Sequence, residues 1–335
     1  MRSPIRLMRV VEHNMEPRHD SVLVKEVLGA LRVAPGDTVI DATLGGAGHF
    51  KELLAALGEG GIIVGIDADP AAVERAREAY ARDRRPERPV AHLVNDNFRN
   101  LARILERLGI GGADAIFFDL GWSGYQIAAP RGFSFERDEP LLMTYSEGPL
   151  GVNETAADIV NSVSEEELAD ILFTYGEERF ARPIARAIVA ARAKARILTT
   201  GALVAAVEAS TPHWYQKGKT HPATKTFQAL RIAANDEIGA LREGLAAALR
   251  ALSPGGRLAI ISFHSIEDRV VKNMLRDAVH EGQGALLPKK PFIPSRAEVL
   301  ANRRARSAKL RVFERALAAP GAEPTGSAHI LLSYV

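Results

Sequence analysis

Four aspartates each follow a short apolar run: Asp41 after Thr38-Val39-Ile40, Asp67 after Ile62 to Ile66, Asp96 shortly after Val90 to Val94, and Asp119 after Ala115 to Phe118. A carboxylate at a strand tip can accept two hydroxyl protons at once, which suits a ribose. Asp67 is available for that role because Asp69 can cap the helix that Pro70 begins. Asp119 opens the stretch Asp119-Leu120-Gly121-Trp122-Ser123. An exocyclic amine of a base has its lone pair delocalised into the ring; a carboxylate that accepts one amine hydrogen shifts density back towards nitrogen, and an aromatic face can hold the base. Plain structural readings stand beside these, with Asp119 as a turn cap and Trp122 as a packing residue.

Between the first two aspartates lies VIDATLGGAGHF, residues 39–50. It reads as a buried strand ending at Asp41, a tight turn through Gly45, Gly46 and Gly48, and a helix opening near His49. Glycines let the backbone turn sharply and let a ligand approach it, and a helix N-terminus adds unpaired N–H groups. The dinucleotide fingerprint GxGxxG is not met. An acidic strand end followed by G-x-x-G suits S-adenosylmethionine better, although such a turn can also be a mere connection. Methyl transfer from a sulfonium is in line and needs no metal, so positioning carries much of the rate. Phe98 could lie on an adenine face or pack beneath the next helix. His264, after the apolar run 257–262, is either an acid–base group or a ring bonded to backbone.

The elements that would hold these residues alternate. Strands are expected at 38–41, 62–66, 90–94 and 115–119, separated by helices near 50–57, 71–80 and 101–108, and a further helix precedes them at 19–31. Such alternation means a parallel, doubly wound α/β sheet whose ligands sit beyond the strands' carboxyl ends. From about 127 to 222 the alternation stops. Ser164 and Glu167 form a capping-box pattern, residues 178–195 make an arginine-studded helix, and Thr200 would cap a third. Residues 213–219 form a loop carrying Trp214, Tyr215 and two lysines. One long helix is expected over 223–252, then a fifth strand at 257–262, a helix at 267–279 and an edge strand at 307–314. The domains are therefore a loose arm (1–18), a discontinuous sheet domain (19–126 and 223–335) and an inserted all-helical domain (127–222) for substrate recognition.

The chain has 335 residues, enough for two domains with sizeable cores, and its 47% apolar and 25% charged content is that of an ordinary globular protein. It contains no cysteine, which excludes disulfides, thiolate catalysis and cysteine-ligated metals and fits a reducing cytoplasm. No apolar run is long enough to span a membrane. A net charge of +2 hides a local excess. Within 287–315, Lys289, Lys290, Arg296, Arg303, Arg304, Arg306, Lys309, Arg311 and Arg315 meet only Glu298 and Glu314, a cluster that suits an RNA backbone. Arg179, Arg182, Arg186, Arg192, Lys194 and Arg196 could add to it or form a solvated helix face.

Taken together these stretches resemble one family, the small-subunit ribosomal-RNA methyltransferases H, also called MraW. The similar segments are HDSVLVKEVL at His19, DATLGGAGHF at Asp41, GIDADP at Gly65, DLGWS at Asp119, RGFSF at Arg131, TYGEERFARPIARAIV at Thr174, HPATKTFQALRIAANDE at His221, PGGRLAIISFHSIEDRVVK at Pro254 and RARSAKLRV at Arg304. They follow one another over nearly the whole chain. The resemblance implies a class I (Rossmann-like) S-adenosylmethionine-dependent methyltransferase sheet with an inserted helical domain. The implied activity is methylation of the N4 amino group of a cytidine in small-subunit (16S-type) ribosomal RNA near the decoding site, with RNA or a 30S-type subunit as partner. It places cofactor contacts at Ala47, Gly48, His49, Asp67, Phe98, Asp119 and Gln126, with Asp119 also catalytic. No metal or membrane is implied, and the oligomeric state stays open, a homodimer included. This chain departs from the family in having Gly124-Tyr125 for Ser-Pro, LLMTYSEGP from Leu141 for a DMRMD-like run, Ala47 for a common glycine, and a long tail after Arg315 that could add a strand. On the resemblance, the first three of those changes lie beside the target-base side. Two other readings stand: a nicotinamide oxidoreductase, which the missing GxGxxG disfavours, and an RNA-binding ribosome-assembly factor that keeps the fold without the activity.

Overall fold

The computed structural model describes residues 21–121, 125–126, 129–145 and 154–317. These fall into two compact units. One contains 22–121 and 236–317; the other contains 125–126, 129–145 and 154–235.

The first of these units is built on a seven-stranded sheet. Its strands are β1 (Thr38–Asp41), β2 (Ile62–Asp67), β3 (Val90–Asn95), β4 (Ala113–Asp119), β5 (Leu252–Ser262), β6 (Gly284–Leu286) and β7 (Lys309–Arg315), in the order β3-β2-β1-β4-β5-β7-β6. The first five run parallel; β7 is antiparallel to both β5 and β6. This is the doubly wound α/β sheet expected, with an antiparallel strand set between β5 and β6. Successive residues of a strand point to opposite faces, and here both faces are covered. Val39, Ile63, Phe117, Ile261 and Val312 face α1 (Val24–Leu31), α2 (Gly48–Ala56) and α3 (Pro70–Arg82). Ile40, Val64, Ile116, Phe118 and Ile260 face α4 (Leu101–Leu108) and the two later helices over Glu237–Ala251 and Ser265–His280. Double burial is why the strands read as unbroken apolar runs.

The other unit is helical. In chain order it holds α5 (Ala156–Ser162), α6 (Glu165–Gly176), α7 (Ala181–Arg192), α8 (Thr200–Ser210), the single turn α9 (His213–Gln216) and α10 (Thr224–Asn235). Its core is Leu168, Leu172, Ile184, Ile188, Leu203, Phe227 and Leu230. Thr155 caps α5 in a reciprocal box with Asp158, and Ser164 accepts from Glu167 N–H at the start of α6. Thr199, not Thr200, caps α8; the Thr200 hydroxyl turns inward, donating to Arg137 carbonyl and accepting from Glu139 N–H. Where a loop was expected around Trp214, α9 forms.

The expected long helix over 223–252 is two helices, α10 and α11 (Glu237–Ala251). Asp236 between them is left-handed, φ 44°, and Arg99 bonds both its carboxylate and that of Glu243. The unit boundary falls at this break, between 235 and 236, where the sequence pattern placed it at 222. Nothing in the apolar periodicity marks the break, because both helices bury a stripe. The expected edge strand near the C-terminus is also interior: β7 lies between β5 and the short β6. The N-terminal arm, Trp122, the segment 146–149 and the tail after 317 lie outside the described residues.

Candidate active site

The loop between β1 and α2 is held from both sides. Gly45 has φ 50° and Ala47 φ 59°, both left-handed, and Ala47 N–H donates to Leu44 carbonyl at 2.7 Å. A buried residue with a Cβ in that region is strained by about 1 kcal/mol or more, which explains why a glycine would suit position 47. Asp67 Oδ2 accepts Gly45 N–H and its Oδ1 accepts Asp69 N–H, each at 2.8 Å. The sequence reading that Asp69 caps α3 holds, through Ala71 N–H at 3.0 Å. Asp67, expected to be available for a ligand, also braces the glycine loop; each oxygen still has a second lone pair for a hydroxyl. Desolvation pushes the Asp67 carboxyl up to about 6, against those two N–H groups. Arg75, on α3, donates twice to Gly45 carbonyl at 3.0–3.1 Å; no sequence signal singled it out.

Beside the loop, three titratable groups meet. His49, near the start of α2, is buried with its ring 4.6 Å from that of Phe117. Its Nε2 lies 3.0 Å from Val22 carbonyl and its Nδ1 3.5 Å from Asp119 Oδ2. Burial pulls the imidazole pKa down, but the Asp119 carboxylate, the charge of Asp41 and the Val22 carbonyl outweigh it, so the net shift is upward. An imidazolium can donate from both nitrogens to these two acceptors at once. Asp41, fully buried, accepts Thr43 N–H, and burial pushes its carboxyl to about 7 although His49 pulls the other way. Asp119 N–H donates to Thr43 Oγ1 at 2.6 Å. Thr43 thus ties the tips of β1 and β4 together, a role the sequence did not reveal. Two buried oxygens in this cluster, Asp41 Oδ2 and Asp119 Oδ1, have no hydrogen-bond partner among the described residues. Buried acceptors of this kind are costly to leave alone and mark a place where a donor belongs.

The site residues expected from sequence distribute as follows. Ala47, Gly48, His49, Asp67 and Asp119 converge at the carboxyl ends of β1, β2 and β4 in one unit. His49 reaches Asp119 and Val22 with its side chain, leaving its backbone for any ligand. Phe98 lies in the same unit, edge-on to Phe118 at 5.5 Å and packed on Gly244, where an added Cβ would come within 2.6 Å of the ring. Its apolar contacts are those of the packing alternative. Gln126 is buried in the helical unit. Asp96 turns away to Asn100, Arg103 and its own chain at Asn97. His264 Nδ1 accepts Glu267 N–H in a capping box for α12 (Ser265–His280), the backbone-bonded alternative. The ligand atoms of Glu237, His264 and Glu267 lie within 4.8 Å of one another, but this is the cap of a helix rather than an open set of donors.

The basic C-terminal segment is less free than its composition implies. Arg311 is buried and, with Lys309, pairs with Asp268 at 2.7 and 2.8 Å. Arg315 donates to the carbonyls of Leu249, Arg250 and Leu252 and so caps α11. Arg304 is half-buried and feels the Asp119 charge, while burial lowers its own pKa. Arg192, on α7, caps α5 through Val160 and Val163 carbonyls. Lys289, Lys290, Arg296, Arg303 and Arg306 remain exposed.

A family model described as the MraW methylase family matches residues 16–316. The chain is 47% identical over 306 residues to the ribosomal RNA small subunit methyltransferase H of Deinococcus radiodurans, covering 90% of this chain and 91% of that one. It is 44% identical over 316 residues to the protein of the same name from Geobacter sulfurreducens, covering 89% and 98%.

Proposed function

The chain belongs to the MraW methylase family, and from that premise we propose that it methylates the N4 amino group of a cytidine in small-subunit ribosomal RNA, near the decoding site, in the cytoplasm. It is an S-adenosylmethionine-dependent methyltransferase. When bound, the cofactor supplies a methyl group activated on sulfonium. The residues present fit it: a braced glycine loop leading into α2, a strand-end carboxylate at Asp67 with lone pairs to spare, and buried acceptor oxygens beside them. Asp67 would take the ribose hydroxyls and the backbone of Ala47 to His49 the amino-acid end; Phe98 is the further contact in this unit that the family resemblance names. The helical unit serves substrate recognition.

Asp119 Oδ1 is the observation that carries the reading of the acceptor side. It is a buried carboxylate oxygen at the end of β4 without a partner among the described residues. An amine hydrogen of the base would satisfy it, and accepting that hydrogen raises the nitrogen's nucleophilicity. His49 and Thr43 hold the carboxylate and its backbone in place. The test is transfer of labelled methyl to unmodified small subunits, followed by mass spectrometry of the nucleosides. N4-methylcytidine is the expected product; a different methylated nucleoside would overturn the acceptor assignment, and no transfer would favour the assembly-factor reading. Asp119→Asn is expected to lower turnover about 100-fold with a much smaller change in RNA affinity.

A further inference from the structure

The helical unit carries a cluster that the active site does not use. Glu178, fully buried in the turn before α7, accepts Phe180 N–H at 2.8 Å with one oxygen and the Tyr215 hydroxyl at 2.6 Å with the other. That carboxylate fixes α9 against the start of α7. Around it stand Phe180, Trp214 and Tyr215, with ring centroids 4.9–6.0 Å apart. All three pairs are edge-to-face, tilted by 62–79°, so no two of these rings are stacked flat. The Arg179 guanidinium lies 4.7 Å from the Trp214 centroid, 5.0 Å from Tyr215 and 5.4 Å from Phe180. Trp214 is nevertheless 60% exposed. Tryptophan is seldom left in water to that extent, and here its neighbours hold it in place rather than bury it.

We propose that Trp214, held by Arg179, Phe180 and Tyr215, is a stacking platform for an unpaired base of single-stranded RNA. Every base offers a π-face to an indole, and a guanidinium beside the ring strengthens such stacking. Lys217 and Lys219, exposed immediately after α9, are placed in the chain to meet the flanking phosphates. Of the nearby carboxylates, Glu178 is consumed by its two donors, Glu208 lies 3.6 Å from His221, and Glu177 is exposed. Trp214 is the most exposed ring of the three, with Phe180 and Tyr215 half-buried beside it, and an indole face is matched in size to one base. The proposal rests on the reading of RNA as substrate and specifies which surface would hold a strand beyond the reacting nucleotide.

The test is fluorescence anisotropy with a labelled single-stranded pyrimidine oligoribonucleotide and the full chain. Trp214→Ala is expected to weaken binding about tenfold, while Trp214→Phe keeps affinity within about threefold, because a smaller ring still stacks. Thermal melting checks that both variants remain folded, as an exposed side chain allows. With unmodified small subunits, Trp214→Ala should raise KM without lowering kcat. Unchanged oligonucleotide affinity in Trp214→Ala overturns the platform, as does a blunt RNA duplex competing as well as the single strand. If Trp214-dependent binding is found but the wild-type chain transfers no methyl, the platform stands and the methyl-transfer reading falls; transfer with no Trp214 dependence gives the reverse.

Discussion

Ala47 shows how one backbone angle constrains one side chain. Its φ of 59° is reached by glycine at no steric cost, by alanine with strain, and by a β-branched residue with more. Ala47→Gly should be close to neutral, within about 0.5 kcal/mol, because relief of strain and loss of a buried methyl offset each other. Ala47→Val should cost about 2 kcal/mol and weaken cofactor binding, as urea denaturation and calorimetry would show. At this scale the sequence was partly legible. The strand-end aspartates were identifiable because each follows an apolar run. Their partners were not: Thr43, Arg75 and the Val22 carbonyl meet the site through folding, and no spacing rule links position 22 to position 49. The bracing role of Asp67 has no sequence signal, because the N–H groups it accepts from lie on loops whose course is set by tertiary structure.

Elements with a strong local signature were read well. Helix α4 lies at 101–108 as expected, and Asp69 and Ser164 cap the helices their positions suggest. Misreadings came where a distant contact decides. Arg99 fixes the Asp236 break from another part of the chain, and β6 turns β7 from an edge strand into an interior one. The basic cluster between 287 and 315 suits RNA by composition alone, and composition cannot tell a buried guanidinium from a solvated one. The ion pair of Arg311 and Asp268 tests that distinction. Arg311 is 8% exposed, so Asp268→Ala leaves a charge desolvated and unpaired. The expected cost is about 3 kcal/mol, read from denaturant melts. Replacing exposed Arg303 should leave stability within about 0.5 kcal/mol.

For the molecule as a whole, the Asp41–His49–Asp119 cluster sets a pH dependence of folding. Folded Asp41 keeps a proton up to about pH 7 that the unfolded chain releases near 3.8, so stability falls as pH rises through that window. The raised pKa of His49 acts in the same direction: its contribution is complete below 6.5 and is lost as pH rises through the folded value. Arg304, facing Asp119, stays charged throughout. Melting temperature should therefore fall as pH rises from about 4 to 7 and on through the His49 titration, and Asp41→Asn should flatten the slope. A wild-type slope of opposite sign would contradict the assigned shifts. The helical unit closes on residues up to 235, whereas the sheet draws on both ends of the described chain.

The place of β7 has a consequence for biosynthesis. A nascent polypeptide emerging from the exit tunnel reaches β5 by residue 262, but the strand that must pair with it arrives only at 309–315, bringing the buried Phe313. Until then β5 presents an open row of amides and carbonyls, a template for mispairing. Stalling or cleavage just before residue 309 should yield an aggregating product that complementary peptide supplied in trans keeps soluble, measurable by sedimentation. The final described strand acts as a latch, and the interval before it closes is when the newborn chain has most need of a chaperone.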